Sequence, residues 1–248
     1  MLTCQHIKNM VKYIRVLNFM KKYAYLITSL SLLLVFIVFT ILVKTVDVQY
    51  IYNNTYLGFY HANYEFGNWA VNFGKYEGLR KISDIIFYIS FGYSGLLGVF
   101  GIISWIRNKK LKNVNKQYFV LLGGYVSIVI TYFIFEIVKI NYSPDSSLNN
   151  LHASYPSSHV FIGCALFLLN SYSAIKLLNP HKKWLVWLIY GATGLICLML
   201  TFSRLMSLKH WMTDVIASVI LVSVIYTLFI YVSQQFNKVN EGETQEIE

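Results

Sequence analysis

The stretch Ser203 to Asp214, SRLMSLKHWMTD, sets an arginine, a histidine and an acid where one apolar run ends and the next begins. Arg204 stands six residues before His210, and His210 stands four before Asp214. On a continuous helix, residues four apart share a face. Asp214 is then placed to hold one imidazole nitrogen of His210 while the other meets a reaction partner. Such a histidine can act as nucleophile or base, with Arg204 gripping an anion. A second cluster, YPSSH at Tyr155 to His159, directly precedes another apolar run. Proline suits the first turn of a helix. The backbone N–H groups around Ser157 and Ser158 would then form an anion-binding helix end, with His159 projecting from the same turn. Plain helix capping is the competing reading of this cluster. Lys139 ends a third apolar run. It is either a further anion ligand or a snorkelling lysine paired with Glu136.

The elements that must position these residues follow from the apolar runs. The chain has 248 residues, of which 56% are hydrophobic and only 13% charged. A soluble domain would carry about twice that charge. Six runs approach the roughly 20 residues needed to cross a bilayer. They cover about 24–43, 84–105, 118–138, 160–178, 184–202 and 213–233. The fold class expected is therefore all-α: a polytopic membrane protein with a bundle of six transmembrane helices. One membrane-embedded domain spans 1–238, and the acidic tail 239–248 is expected to be disordered. The first run is too long for a signal-peptide core and reads as a retained anchor.

The net charge of +10 does not point to nucleic acid, because its distribution is that of a membrane topology. Lys8, Lys12, Arg15, Lys21 and Lys22 precede the first run, and Arg107, Lys109, Lys110, Lys112 and Lys116 crowd the loop after the second. Lys176, Lys182 and Lys183 lie between the fourth and fifth. These loops and both termini are expected to be cytoplasmic, with 44–83, 139–159 and 203–212 on the other side. All three candidate clusters fall on that outward side. Ionisable groups at span ends are functional candidates by default. The composition is compatible with a bacterial plasma (inner) membrane, with the site facing the periplasm or exterior.

The first outward segment is rich in aromatics, among them Tyr50, Tyr56, Tyr64, Phe66 and Trp69. It reads as an interfacial cap on the bundle, with a lid or ramp for a lipid as the sharper alternative. Gly92, Gly95, Gly98 and Gly101 are expected to let helices approach closely. Cys4, Cys164 and Cys197 form neither a metal-ligand pattern nor a disulfide framework.

On these motifs the chain resembles the type-2 phosphatidic acid phosphatase superfamily, which includes bacterial membrane lipid phosphatases. Ser203, Arg204, His210 and Asp214 match its third motif in full. Pro156, Ser157 and His159 match the second, with Ser158 in place of glycine. Lys139 matches the start of the first, whose Arg-Pro pair is replaced by Ser146 and Ser147. The resemblance implies that His210 attacks phosphorus, that Asp214 orients it, and that His159 is the general acid and then the base. It implies that Arg204, Lys139 and the backbone around Ser157 and Ser158 hold the phosphoryl oxygens. No metal or cofactor is implied. Loss of one preorganised ligand can cost about 3–4 kcal/mol of transition-state stabilisation, and Lys209 is the candidate replacement.

The expected function is metal-independent dephosphorylation of a membrane lipid phosphate or pyrophosphate at the extracytoplasmic face, through a phosphohistidine. The partners expected are the lipid phosphate substrate and membrane lipids, with no nucleic acid. The alternatives are a catalytically silent lipid-binding or lipid-moving protein and a lipid-to-lipid phosphotransferase. No pair of interrupted spans suggests a transporter.

Overall fold

The computed structural model describes residues 2–52, 55–73, 76–144 and 151–245. Ser146 and Ser147 lie outside the described residues. Among the described residues the fold is all-α apart from one small hairpin. Helix α1 (Leu2–Thr45) leads into strands β1 (Gln49–Tyr52) and β2 (Thr55–Leu57), which pair antiparallel. Helix α2 (Tyr60–Phe73) follows, then α3 (Tyr76–Asn108), α4 (Lys116–Ile137), α5 (Ser158–Leu178), α6 (Lys183–Met206) and α7 (Met212–Gln245).

Six of these helices are long and apolar enough to span a membrane: α1 from Tyr23, α3 from Glu77, α4, α5, α6, and α7 as far as Phe236. Their outer faces expose large apolar side chains, including Ile137, Trp187, Leu198 and Tyr88. Water would not tolerate so continuous an apolar surface, whereas lipid does. The protein is an integral multi-pass membrane protein.

Helix α5 is the buried centre and packs against α3, α4, α6 and α7, while α1 lies along α7. Its core side chains Val160, Phe161, Ala165 and Leu169 are almost wholly enclosed. Glycines set the closest approaches: a Cβ at Gly124 would meet Leu169 and Phe229, and one at Gly163 would meet Leu200. The stripe on α3 behaves differently from the sequence expectation. Gly101 packs on the Tyr118 ring, but a Cβ at Gly92, Gly95 or Gly98 would meet nothing, because that face looks out of the bundle.

Two boundaries also differ. Helix α3 begins seven residues before the expected position 84, at Glu77 for its apolar span. Helix α7 runs on to Gln245, so the acidic segment expected to be disordered is helical to that point. An already formed helix extends at the cost of one residue's freedom per added hydrogen bond, and Glu and Gln are good helix formers.

The aromatic segment between the first two spans folds as the hairpin plus α2, and α2 is pinned to the site end of the bundle. Asp47 accepts from the His61 backbone N–H at 2.7 Å, at the start of α2. Asn63 is buried, donates to the Gly58 carbonyl at 2.9 Å and accepts from the Thr213 N–H at 3.2 Å. Gly58 permits this docking, since a Cβ there would collide with the Val43 carbonyl. Gly58→Ala is therefore expected to destabilise the protein by about 1–3 kcal/mol. Gly67→Ala, which meets open space in the interior of α2, should leave the thermal midpoint unchanged or raise it. Equal midpoints for the two variants would contradict the docking.

Candidate active site

Three connections converge at one end of the bundle. The α4–α5 connection folds back on itself: Ser143 N–H donates to the His152 carbonyl at 2.9 Å, and Ser154 N–H to the Asn141 carbonyl at 3.0 Å. The α6–α7 turn, residues 207–211, is tied to it. Ser143 Oγ donates to the Lys209 carbonyl at 2.9 Å and Trp211 Nε1 to the Tyr142 carbonyl at 2.7 Å. Leu208 holds a φ of 54° in this turn, a left-handed conformation that non-glycine residues seldom adopt.

His210 sits in that turn and not on α7, so the expected four-residue stacking on Asp214 does not arise. Its Nδ1–H donates to the Ser154 carbonyl at 2.9 Å, and Asp214 Oδ2 lies 3.9 Å from the same nitrogen. With Nδ1 carrying the proton, Nε2 is the bare nitrogen of the ring. Only 9% of the side chain is exposed. Burial, then the nearby Arg204 charge, push the His210 pKa down from 6.5 to about 3, against the pull of the Ser154 bond. His210 is thus an uncharged imidazole at neutral pH.

That shift has a consequence for stability. Above pH 6.5 His210 is neutral whether folded or unfolded. As pH falls below 6.5 the unfolded chain takes up a proton that the folded chain refuses until pH approaches 3. Stability is then lost on acidification, by up to about 1.4 kcal/mol per pH unit from this residue. The thermal midpoint of the wild type should fall more steeply between pH 6.5 and pH 4 than that of His210→Gln. Parallel slopes would contradict the burial of a neutral ring.

Asp214 is wholly buried at the start of α7. Its carboxylate accepts from Asn141 Nδ2 at 2.9 Å and reaches back to the Trp211 N–H at 3.1 Å, closing the first turn as a capping acid does. Its carbonyl accepts from the Ser157 N–H at 3.2 Å and from Ser218 Oγ at 2.8 Å. Asp214 therefore locks α5 to α7 beneath His210.

Ser157 precedes α5, follows a cis Tyr155–Pro156 bond and is fully buried. Because its N–H is taken by Asp214, it is not a free donor for an anion. Ser158, the first residue of α5, does line the open cavity described next.

That cavity, about 380 Å³, is lined by Arg80, Asp84, Tyr88, Ser143, His152, Ala153, Ser158, His159, Arg204, Lys209 and His210. It brings together four of the sequence candidates: His159, His210, Arg204 and Ser158. Lys139 follows the end of α4, is exposed, and is not part of this lining. His159 lies in the first turn of α5, its ring stacked on Phe87 at 4.2 Å between centroids. Its Nε2 faces Asp84 Oδ1 at 3.2 Å, while its buried Nδ1 has no hydrogen-bond partner among the described residues. Arg204, in the last turn of α6, sends Nη1 to Asp84 Oδ1 at 3.2 Å and Ser83 Oγ at 3.3 Å. Lys209 also borders the cavity. Partial desolvation, then Arg80, lower its pKa, with Asp84 opposing.

Arg80 and Asp84 are absent from the sequence-derived candidates. The only signal for them was an arginine and an acid four apart just before an apolar run, the same kind of boundary charge that marks Arg204. Three fixed positive charges, Arg80, Arg204 and Lys209, face one carboxylate in this lining. A cavity with that balance, two histidines and a helix start is suited to a phosphoryl group.

Residues 133–238 match the sequence profile of the PAP2 superfamily. This part of the chain is similar to the PAP2 superfamily. It carries Lys139, His159, Arg204, His210 and Asp214, whereas Arg80 and Asp84 come from α3, before the matched residues. A comparison with curated protein sequences gave no match. Among solved structures, a transmembrane PAP2 type phosphatidylglycerolphosphate phosphatase from Bacillus subtilis is similar in fold. The TM-score is 0.62 at 17% identity, covering 84% of this chain and 96% of that one. The likeness of fold thus extends well beyond the PAP2-like segment.

Proposed function

We propose that this protein is a membrane lipid phosphatase that works through a phosphohistidine at His210. The observation that carries this reading is His210, held by Nδ1 on the Ser154 carbonyl with Nε2 bare, and a second histidine, His159, lining one cationic cavity at the end of a membrane-spanning bundle. In the first step His210 Nε2 attacks phosphorus as the bond to the lipid oxygen breaks. His159 Nε2 gives its proton to the departing oxygen. In the second step water attacks phosphorus, His159 takes its proton, and the P–N bond breaks to release phosphate. The guanidinium of Arg204 and the start of α5 at Ser158 receive the charge that builds on the phosphoryl oxygens.

Asp214 acts on this chemistry as a positioning residue. It keeps the turn that holds His210 fixed against α5, and its carboxylate adds a negative field near Nδ1. Lys139 serves as an outer cation that draws the anionic headgroup toward the cavity. The site faces the exterior, since the basic loops at Arg107–Lys116 and Lys176–Lys183 lie on the opposite side of the spans. A lipid substrate is favoured over a soluble ester because the cavity lies at the end of a membrane-spanning bundle, and α2, docked at that end through Asn63 and Thr213, exposes aromatics such as Tyr64 and Trp69.

The test is phosphate release by the purified protein from phosphatidic acid, phosphatidylglycerol phosphate, a polyprenyl pyrophosphate and lipid A. At least one should be turned over without added metal. Release from a soluble ester but from none of the lipids would overturn the lipid assignment.

A further inference from the structure

The cavity has a wall that the PAP2-like segment does not supply. Helix α3 contributes Arg80 and, one turn on, Asp84. A surface arginine four residues before an acid would ordinarily pair with it. Here Asp84 turns the other way, and a single oxygen, Oδ1, lies 3.2 Å from both His159 Nε2 and Arg204 Nη1. That is the place a substrate's phosphate would need between an acid catalyst and a guanidinium clamp. Arg80 is left exposed at the rim. Among the described residues no ion pair or hydrogen bond engages its guanidinium, although its charge acts on His159, Arg204 and Lys209. A cation that repels its neighbours and has no anion of its own needs one from outside.

We propose that α3 completes the phosphate site: Arg80 is a second guanidinium ligand for the substrate's phosphoryl oxygens, and Asp84 is a placeholder carboxylate that phosphate displaces from Arg204 and His159. This rests on the reading of the cavity as a phosphoryl-transfer site. In the empty site Asp84 keeps two buried polar groups satisfied. On binding, the substrate's phosphate takes over both groups: a phosphoryl oxygen meets Arg204, the bridging oxygen to the lipid meets His159 Nε2, and another phosphoryl oxygen meets Arg80. The released Asp84 carboxylate then pairs with Arg80 from one turn below, which fixes the guanidinium plane toward the ligand. Arg80 thereby fills the place left by the guanidinium that Ser146 does not provide.

The experiment measures orthovanadate binding to the full chain in detergent, by thermal shift, beside lipid turnover. Loss of one charge-assisted, two-pronged contact should weaken vanadate about tenfold or more in Arg80→Ala, with partial recovery in Arg80→Lys. Lys81→Ala removes the same charge from a side chain that instead pairs with Glu77 at 3.6 Å, and it should leave vanadate affinity unchanged. Removing a competing internal anion frees a site that is only fractionally open, so Asp84→Asn should tighten vanadate by about threefold or more. Midpoints without vanadate check that each variant is folded. Unchanged affinity in Arg80→Ala, or weaker binding in Asp84→Asn, would overturn the proposal. So would a wild type that turns over lipid through His210 yet does not bind vanadate. A wild type that binds vanadate with this variant pattern but releases no phosphate from any lipid would instead defeat the proposed function alone.

Discussion

His210→Ala is expected to lower lipid phosphate release by about 10⁴-fold or more, the scale seen when the nucleophile of a covalent mechanism is deleted. The loss should appear in kcat with little change in substrate affinity. Arg204, Lys209 and the start of α5 remain to bind the phosphate, and only the attacking nitrogen is gone. The fold should survive, because the ring's one strong contact is the Nδ1–H bond to the Ser154 carbonyl. The His210 ring lines the cavity, so its removal opens space beside that carbonyl in which water can replace it as donor. A variant that kept more than a few per cent of wild-type turnover would contradict a nucleophilic role for His210. Asp214→Ala offers a contrast. It strips partners from Asn141 and the Trp211 N–H, so its first effect should be on stability.

His159→Ala is expected to cost about 10²–10⁴-fold on a lipid phosphate, the usual worth of a positioned acid–base group. The loss should shrink for an aryl phosphate, whose leaving group departs without a proton. The second half-reaction still needs a base for water, so with the aryl ester the covalent intermediate should accumulate in this variant. An equal loss on alkyl and aryl esters would argue that His159 only shapes the site. Phe87 packs flat on the ring and Asp84 faces its Nε2, so the vacancy is bounded by side chains that can stay in place.

The membrane class and the six spans could be read from sequence because apolar runs of bilayer length leave few alternatives. The pairing of His159 with Arg204 and His210 was legible for a related reason: all three stand at span ends on one side. What could not be read was set by distant contacts and by helix boundaries. Glu77, Arg80, Lys81 and Asp84 interrupt the apolar pattern, so α3 reads as starting at 84, which leaves Arg80 in a loop and Asp84 as no more than the first residue of a span. His210 and Asp214 have helical spacing, but the helix starts only at Met212. The ring therefore takes the Ser154 carbonyl, 56 positions away in the chain. Ser157 looks like a free helix-end donor until the Asp214 carbonyl is found against its N–H. No local pattern encodes that long-range bond.

The most direct measurement is to mix the protein with lipid substrate labelled in the phosphoryl group, quench, and locate the label. The expected result is phosphate bound to the peptide containing His210, stable in alkali, released in acid and absent from His210→Ala. Turnover of the wild type with no label on that peptide, or label on a different residue, would contradict the phosphohistidine.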